Sequence, residues 1–258
     1  DEEVFGPLRK SFQLLVERKG TPPLTAARRI RTRVSVAAAM LLKEGIVDAA
    51  LCGGLGDWQR QMSYVLPIIP RSSGASRIYS LSALILPNGV LFFCDTHMNI
   101  DPNAAEIAEM TVLAAQTVAR FGLHPKAALL SHSSFGTSHA PSARKMREAL
   151  ALIRRLAPDL EVDGEMHADA ALSDALRGRI VTNSPLTGSA NLLVMPNLDT
   201  ANVALTLLSA ATEALLVGPL LLGISKPLQM MVPSVTARGI VNMTALAVAQ
   251  ADRGLSAS

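Results

Sequence analysis

Short apolar runs alternate with longer amphipathic segments along most of this chain. The clearest strand signal is RIYSLSALILPNGVLFFCDT at 77–96, in which two apolar runs flank a Pro-Asn-Gly turn at 87–89. The clearest helix signal follows at 101–122, where Asp101 is a candidate N-cap and Gly122 ends the pattern. These two segments predict a β-hairpin followed by a long helix.

The rest of the pattern continues the alternation of strands and helices. Helices are predicted over 6–19, 24–44 (as one or two helices), 141–156, 168–177 and 199–211. Strands are predicted within 46–56, 126–131, 160–166, 190–196 and 215–224. This order predicts an α/β fold with mainly parallel sheets flanked by helices. Such sheets bind ligands beyond the carboxyl ends of their strands, so the candidate loops are 53–57, 131–140, 163–169, 196–200 and 232–239.

Composition excludes several classes of protein. Hydrophobic residues make up 49% of the 258 residues and charged residues 17%, which excludes global disorder. The most apolar region, 214–225, has 12 uncharged residues, fewer than the roughly 20 of a membrane-spanning helix. The first residues, DEEVFGPLRK at 1–10, do not resemble a signal peptide. Cys52 and Cys94 lie in predicted buried strands, which favours reduced thiols and a cytoplasmic protein without a membrane partner.

The cations are mostly arginines, and the net charge is +3. The densest group is ARRIRTR at 27–33, which is either a solvated helix face or an anion-binding edge, since arginine suits bidentate phosphate recognition. We do not expect nucleic acid as a partner, because no binding module or interleaved aromatic residues accompany these charges.

Two loops carry candidate chemistry. SHSSFGTSH at 131–139 offers hydroxyls and backbone N–H groups around a glycine, which suits a phosphate-like anion or an ordinary strand-to-helix turn. DGEMHAD at 163–169 places acidic residues and His167 at alternate positions. That spacing permits a metal site, but a hydrogen-bonded turn or the wall of a polar pocket is favoured and no metal is expected. Neither a GxSxG motif nor a supported Cys-His pair indicates a nucleophile.

Several motifs resemble the phosphotransacetylase family, which moves acetyl groups between coenzyme A and phosphate. They occur in family order as GVLFFCDTHMNIDPNAAEIAEMTVLAAQTVARFG, ALLSHSSFGTS, DGEMHADAAL, ANLLVMPNLDTANVAL and GPLLLGISKP. SHSSFGTS, DGEMHADAAL and VTARGIVNMTALAV also resemble the C-terminal domain of large bacterial NADP-dependent malic enzymes. The resemblance covers nearly the whole chain.

The resemblance also implies the site. Active members carry Asn-Asp-Leu-Ser-Arg-Gly where this chain is matched at 242–247, so Ala245 replaces the serine and Leu246 the arginine, while Asp252 keeps a carboxylate. Loss of the serine and arginine predicts a domain with no catalytic residues of its own. The residues implied to bind the ligand are Arg77, Ser133, Phe135, Gly136, Thr137, Ser138, Arg238, Asn242, Met243, Thr244 and Ala245.

The family fold implies two α/β subdomains with a cleft between them, similar to isocitrate and isopropylmalate dehydrogenases. The first subdomain is expected to comprise 1–79 and 229–258 and to be N-terminally incomplete, because family members usually carry a further βα block. The second is expected to comprise 80–228 and to form a dimer interface.

The functional hypothesis is a regulatory domain of a hybrid malic enzyme that binds acetyl-coenzyme A as an allosteric effector. Its partners would be its own malic enzyme domain and further copies of itself. It would hold no cofactor, because NADP and a divalent metal would belong to the malic enzyme domain. The alternatives are an active phosphate acetyltransferase and a structural oligomerisation module.

Overall fold

The chain forms two units, each with its own sheet, in a computed structural model that describes residues 2–255 and the side chains of residues 5–252. Unit 1 combines 1–75 with 223–258, and unit 2 is the stretch 76–222 between them. The sequence places these boundaries after residues 79 and 228, and residues 1 and 256–258 of its first subdomain lie outside the described residues.

Unit 1 consists of helices around a two-stranded parallel sheet. Its elements are α1 (Glu2–Val16), α2 (Pro23–Thr32), α3 (Val34–Lys43), β1 (Ala50–Gly53), α4 (Trp58–Val65), β8 (Leu228–Met231) and α10 (Ala237–Leu255). A short 3-10 turn, Glu17–Lys19, follows α1. The predicted segment 24–44 forms two helices, because the extended backbone of Arg33 separates α2 from α3.

Close contact between β1 and β8 explains one glycine of the run at 53–56. The two strands pair in parallel with Ala50 opposite Leu228. A Cβ on Gly53 would lie 2.4 Å from the carbonyl oxygen of Met231, and the φ of +92° is also one that side chains disfavour. The Trp58 indole N–H donates to the Met230 carbonyl at 3.0 Å. Gly53 therefore serves the packing of this sheet.

Unit 2 contains a six-stranded sheet covered by helices on both faces. Its strands are β2 (Tyr79–Leu86), β3 (Gly89–Cys94), β4 (Lys126–Leu130), β5 (Glu161–Met166), β6 (Leu192–Val194) and β7 (Leu215–Leu222). Its helices are α5 (Ala104–Arg120), α6 (Pro141–Leu156), α7 (Ala168–Leu172), α8 (Asp174–Ile180) and α9 (Leu198–Thr212). The strand order is β5-β4-β6-β3-β2-β7.

Pairing in this sheet is parallel across β5, β4, β6 and β3, and antiparallel where β2 meets β3 and β7. The predicted hairpin is confirmed, since β2 and β3 pair with Leu86 opposite Gly89. The predicted α/β class with a mainly parallel sheet is also confirmed, and β2 is the strand that departs from it.

Alternate residues of the strands supply the two halves of the core. Leu84, Phe93 and Leu193 belong to one buried cluster that includes residues of α7 and α9. On the opposite face of the sheet, the centre of the Phe92 ring lies 5.4 Å from the centre of the Phe121 ring, and Phe121 directly follows α5. No helix of the described chain is long and apolar enough to cross a membrane.

Two predicted helix boundaries were wrong for local reasons. Helix α5 begins at Ala104 and not at Asp101, because Asn103 accepts the Glu106 N–H and Glu106 caps the Asn103 N–H in return. The segment predicted as one helix over 168–177 forms α7 and α8. Ser173 between them has an extended backbone and caps α8.

Candidate functional site

The carboxyl ends of four parallel strands meet at one edge of the sheet of unit 2. These strands are β5, β4, β6 and β3, in spatial order. Because β2 runs antiparallel to β3, the residues that enter β2 reach the same edge. Ligands of α/β sheets bind at such edges. We define the carboxyl edge by the segments 76–78, 95–103, 131–140, 167 and 195–197.

Asp95 is a buried carboxylate that organises the segment after β3. Its Oδ1 accepts the backbone N–H groups of Ser80, His97 and Met98 at 3.0–3.2 Å. Its Oδ2 accepts the N–H and the side-chain amide of Asn99 at 3.0 and 2.6 Å. Burial raises the pKa of Asp95, and these hydrogen bonds oppose that shift. Burial also lowers the pKa of His97 to about 4, so its imidazole is neutral at pH 7.

The Ser-rich loop at 131–140 folds around a carboxylate of the chain itself. Glu165 in β5 is fully buried, and its Oε1 accepts the Ser133 hydroxyl at 2.7 Å and the Gly136 N–H at 3.1 Å. The same oxygen pairs with Arg147 of α6 at 2.7 Å. Phe135, with a φ of +48°, donates its N–H to the Glu165 carbonyl at 2.7 Å. Glu165 and Arg147 therefore hold the loop in place.

The backbone donors of this loop are already used within the chain. The N–H groups of 134–138 and 140 all donate to oxygens of the loop or of Glu165. Ser138, for example, donates its N–H to the Ser133 hydroxyl at 3.1 Å. An anion at this loop would therefore meet its exposed side chains and not a free ring of N–H groups. Thr137 and the glycine beside it are exposed, and Ser138 is half-buried.

Arg77 also lies at the carboxyl edge, and its guanidinium has partners there. Its Nε pairs with Glu106, and its Nη1 lies 3.4 Å from the Asn99 side-chain oxygen. The Arg77 side chain remains 53% exposed, whereas that of Glu106 is 13% exposed. A ligand phosphate would therefore compete with a partly buried carboxylate for this arginine.

The polar side chains of 163–169 point to separate partners. Asp163 accepts from Arg154 at 3.2 Å and from Ser184 at 2.7 Å, while His167 Nε2 lies 2.8 Å from a backbone carbonyl. Within residues 5–252, no group of three or more His, Cys, Asp or Glu side chains could hold a metal ion. The side chains of Asp163 and His167 therefore take part in hydrogen bonds with neighbouring segments.

The predicted residues near the end of the chain belong to α10 of unit 1. The first turn of α10 contains Arg238 and Gly239, and the Gly239 N–H donates to the Thr236 hydroxyl at 3.0 Å. Arg238 is exposed. At ~1.5 Å per residue, Ala245 lies ~12 Å along the axis from the helix start.

Residues 242–246 are consecutive in a helix, so their side chains project in different directions. Met243 is buried, Asn242 and Leu246 are partly buried, and Thr244, Ala245 and Asp252 are exposed. The Thr244 hydroxyl donates back to the Ile240 carbonyl at 2.8 Å. This segment therefore does not form a single lining surface.

Sequence reasoning missed two residues that shape the carboxyl edge, Asp95 and Arg147. Asp95 follows the apolar run FFC directly, and an acidic residue at that point of a buried strand is a usable signal. Arg147 lies on a helix with several other arginines, so nothing in the pattern distinguishes it.

The fold of unit 2 and the polar residues at its carboxyl edge can now be compared with those of known protein families. A family model described as phosphate acetyl/butaryl transferase matches residues 4–248, and the chain belongs to this family. The crystal structure of a phosphotransacetylase from Streptococcus pyogenes superposes with a TM-score of 0.87 at 30% identity. That match covers 96% of this chain and 76% of the other.

Among curated proteins, the chain is similar to part of two malic enzymes. It is 50% identical over 236 residues to the NAD-dependent malic enzyme of Rhizobium meliloti (strain 1021), covering 92% of this chain and 31% of that protein. It is 44% identical over 241 residues to the NADP-dependent malic enzyme of Escherichia coli (strain K12), covering 93% and 32%. The chain thus spans about a third of the length of these relatives.

Proposed function

We propose that this chain is the phosphotransacetylase-like part of a larger malic enzyme and binds acetyl-coenzyme A as a regulator of that enzyme. One observation carries the proposal. The chain belongs to an acyltransferase family, yet relatives at 50% and 44% identity are malic enzymes about three times its length. Malate oxidation, with its nicotinamide cofactor and divalent metal, would belong to the remainder of that enzyme.

We infer a different match for the family signature Ser-Arg-Gly from the one predicted by sequence. The first turn of α10 reads Ala237-Arg238-Gly239, which agrees at two of the three residues, whereas residues 245–247 agree at none. The Gly239 N–H of this turn already donates to the Thr236 hydroxyl, so an anion here would meet the exposed Arg238 side chain. In this register the chain keeps the arginine and the glycine, whereas Ser234, Val235, Thr236 and Ala237 stand where active members carry asparagine, aspartate, leucine and serine.

This register predicts weak acetyl transfer that a single substitution improves. Loss of one transition-state donor costs about 10²–10³ in rate. We therefore expect Ala237→Ser to raise the rate of acetyl transfer from acetyl phosphate to coenzyme A at least about tenfold. Ala245→Ser, which adds the same hydroxyl at the other candidate position, should leave the rate unchanged. If only Ala245→Ser raises the rate of acetyl transfer, the signature is matched at 242–247, as the sequence predicts.

The same assay separates the regulatory proposal from its main alternative. Retention of Arg238 is the observation that favours an active phosphate acetyltransferase as second candidate. Turnover of the unmodified chain at the rate of an ordinary metabolic enzyme, about 10 per second, would establish that alternative. The regulatory proposal expects turnover at least about a hundredfold lower.

Regulation requires that acetyl-coenzyme A binds and that it favours one state of the larger enzyme. Calorimetric titration of this chain with acetyl-coenzyme A tests binding. A flat trace at millimolar ligand would contradict the regulatory proposal and favour the alternative of a structural oligomerisation module. Malate oxidation by the full-length enzyme tests the effect. A coupling of about 1–3 kcal/mol would change the affinity for malate by about 5–150-fold. Self-association through unit 2 is part of the proposal, and analytical ultracentrifugation tests it.

A further inference from the structure

Unit 1 carries a group of arginines that the proposed function has not used. They lie at the end of α2 and in α4, and with one tyrosine we call them the arginine–tyrosine cluster: Arg29, Arg33, Arg60 and Tyr64. All three arginines are exposed, and Tyr64 is half-buried. The Arg33 N–H donates to the Arg29 carbonyl at 2.9 Å at the end of α2. Arg60 and Tyr64 are four residues apart in α4, a spacing that places them on one face of that helix.

Tyr64 brings the guanidinium groups of Arg33 and Arg60 together, while Arg29 Nη1 donates to the Thr21 hydroxyl at 3.2 Å. The Arg33 guanidinium carbon lies 5.3 Å from the centre of the Tyr64 ring, which is a cation–π distance. Arg60 Nε donates to the Tyr64 hydroxyl at 3.0 Å. A hydrogen bond of 2.6 Å from the Ser35 hydroxyl to the Gln61 side chain joins α3 to α4 beside this contact. The cluster is therefore supported by packed helices.

The positive charge of the cluster is not neutralised by ion pairs. None of Arg29, Arg33 and Arg60 forms an ion pair with a carboxylate of the described residues, although the charge of Asp57 acts on Arg60 from the helix cap. The hydrogen bond from Arg60 and the charges of the three arginines lower the pKa of Tyr64. Arg77 differs, because Glu106 already pairs with it.

We propose that the arginine–tyrosine cluster binds the phosphate groups of a diphosphate-bearing small molecule. Guanidinium groups recognise phosphate oxygens bidentately, and several together suit a ligand with more than one negative charge. Arg33 lies over one face of the Tyr64 ring, and the guanidinium groups of the cluster offer charge to a phosphate. The identity of the natural ligand as acetyl-coenzyme A rests on the proposed function; the binding of diphosphate does not.

Calorimetric titration of the whole chain with inorganic pyrophosphate at low ionic strength tests this site. We expect measurable binding, with a dissociation constant raised about tenfold by Arg33→Gln and by Arg60→Gln, since each removes a charge-assisted contact. Arg18→Gln is the matched control, because Arg18 is an exposed arginine of unit 1 outside the cluster. Absence of binding at millimolar pyrophosphate, or equal losses in all three variants, would overturn the proposal.

The ionisation of Tyr64 supplies a second readout. The chain contains two tyrosines, and burial followed by the hydrogen bond to Glu109 raises the pKa of the other, Tyr79. The phenolate absorbance that develops first with rising pH should therefore belong to Tyr64, and Tyr64→Phe should remove it. The negative charge of bound pyrophosphate disfavours the Tyr64 phenolate, so pyrophosphate should raise the pKa of Tyr64 and move its absorbance change to higher pH. An unchanged titration in saturating pyrophosphate would contradict the site.

The same variants separate this inference from the proposed function. If acetyl-coenzyme A binds the unmodified chain and the Arg33→Gln and Arg60→Gln variants equally, the cluster is not its site and the regulatory proposal stands. If acetyl-coenzyme A fails to bind the unmodified chain while pyrophosphate binding depends on both arginines, the regulatory proposal fails and the cluster remains a diphosphate site.

Discussion

At the scale of single residues, Arg177 is a charged side chain with only 1% of its surface exposed. Its Nη1 donates to the Ala170 carbonyl at 3.0 Å, and its Nη2 donates to the carbonyls of Leu186 and Gly188 at 3.1 and 2.7 Å. Asp174 pairs with it at 2.6 Å. These contacts join α7 and α8 to the loop that precedes β6.

Replacement of Arg177 by methionine should destabilise unit 2. The substitution keeps an apolar stem but leaves the carbonyls of two buried residues, Ala170 and Leu186, without this donor, so we expect the free energy of unfolding to fall by about 2–4 kcal/mol. Arg179→Met, two residues further along the same helix, removes an exposed arginine and should change it by less than about 0.5 kcal/mol. Urea unfolding measures both, and equal midpoints would contradict the assigned role.

The sequence alone does not indicate that Arg177 is buried. DALRGRI presents two arginines in a short polar helix, and nothing in their spacing marks one as buried. The same problem affects Glu165 and Arg147. DGEMHAD indicates a polar cluster, but the partners of its members lie on other elements, and only tertiary structure shows that Glu165 holds the loop at 131–140.

At the scale of elements, prediction succeeded where the local signals agree. The helix predicted at 141–156 is α6, whose first residue is a proline and whose last turn holds two arginines. It failed where an element depends on a distant partner. The four-residue strand β8, for which no strand is predicted, forms because β1 lies beside it.

Strand β5 illustrates an element whose sequence is set by its neighbour. A Cβ on Gly164 would lie 2.6 Å from the Leu129 carbonyl oxygen in β4, and its φ of +146° disfavours other residues. We expect Gly164→Ala to lower the free energy of unfolding by about 2–4 kcal/mol. Gly178→Ala in α8, where nothing lies within 4 Å, should raise it by about 0.5–1 kcal/mol. Thermal denaturation of both variants measures whether each change in stability is negative or positive. A Gly164→Ala variant as stable as the unmodified chain would show that β4 and β5 can move apart at this position.

At the scale of the whole molecule, each unit contains one buried cysteine, Cys52 in unit 1 and Cys94 in unit 2. Burial raises the pKa of Cys52 to about 12 and also raises that of Cys94. At pH 8 both thiols are therefore protonated as well as shielded, and the reactive thiolate fraction increases only as pH rises towards these values.

We expect iodoacetamide at pH 8 to leave both cysteines of the native chain unmodified and to alkylate both in denaturing urea. Mass spectrometry of the peptides, at increasing urea, then reports the unfolding of each unit separately. Alkylation of Cys52 before Cys94 would rank unit 1 as the less stable of the two. Rapid reaction of either thiol without urea would contradict its burial.

The order of the elements along the chain has a consequence for biosynthesis. Strand β1 must wait for β8, and Cys52 and Met230 in these strands are 178 positions apart. At about 5–20 residues per second, the ribosome needs roughly 10–35 s to make that stretch. Translation therefore delivers all of unit 2 while β1 is still unpaired, and a chain that stops between residues 222 and 231 contains one complete unit and one that lacks strand β8.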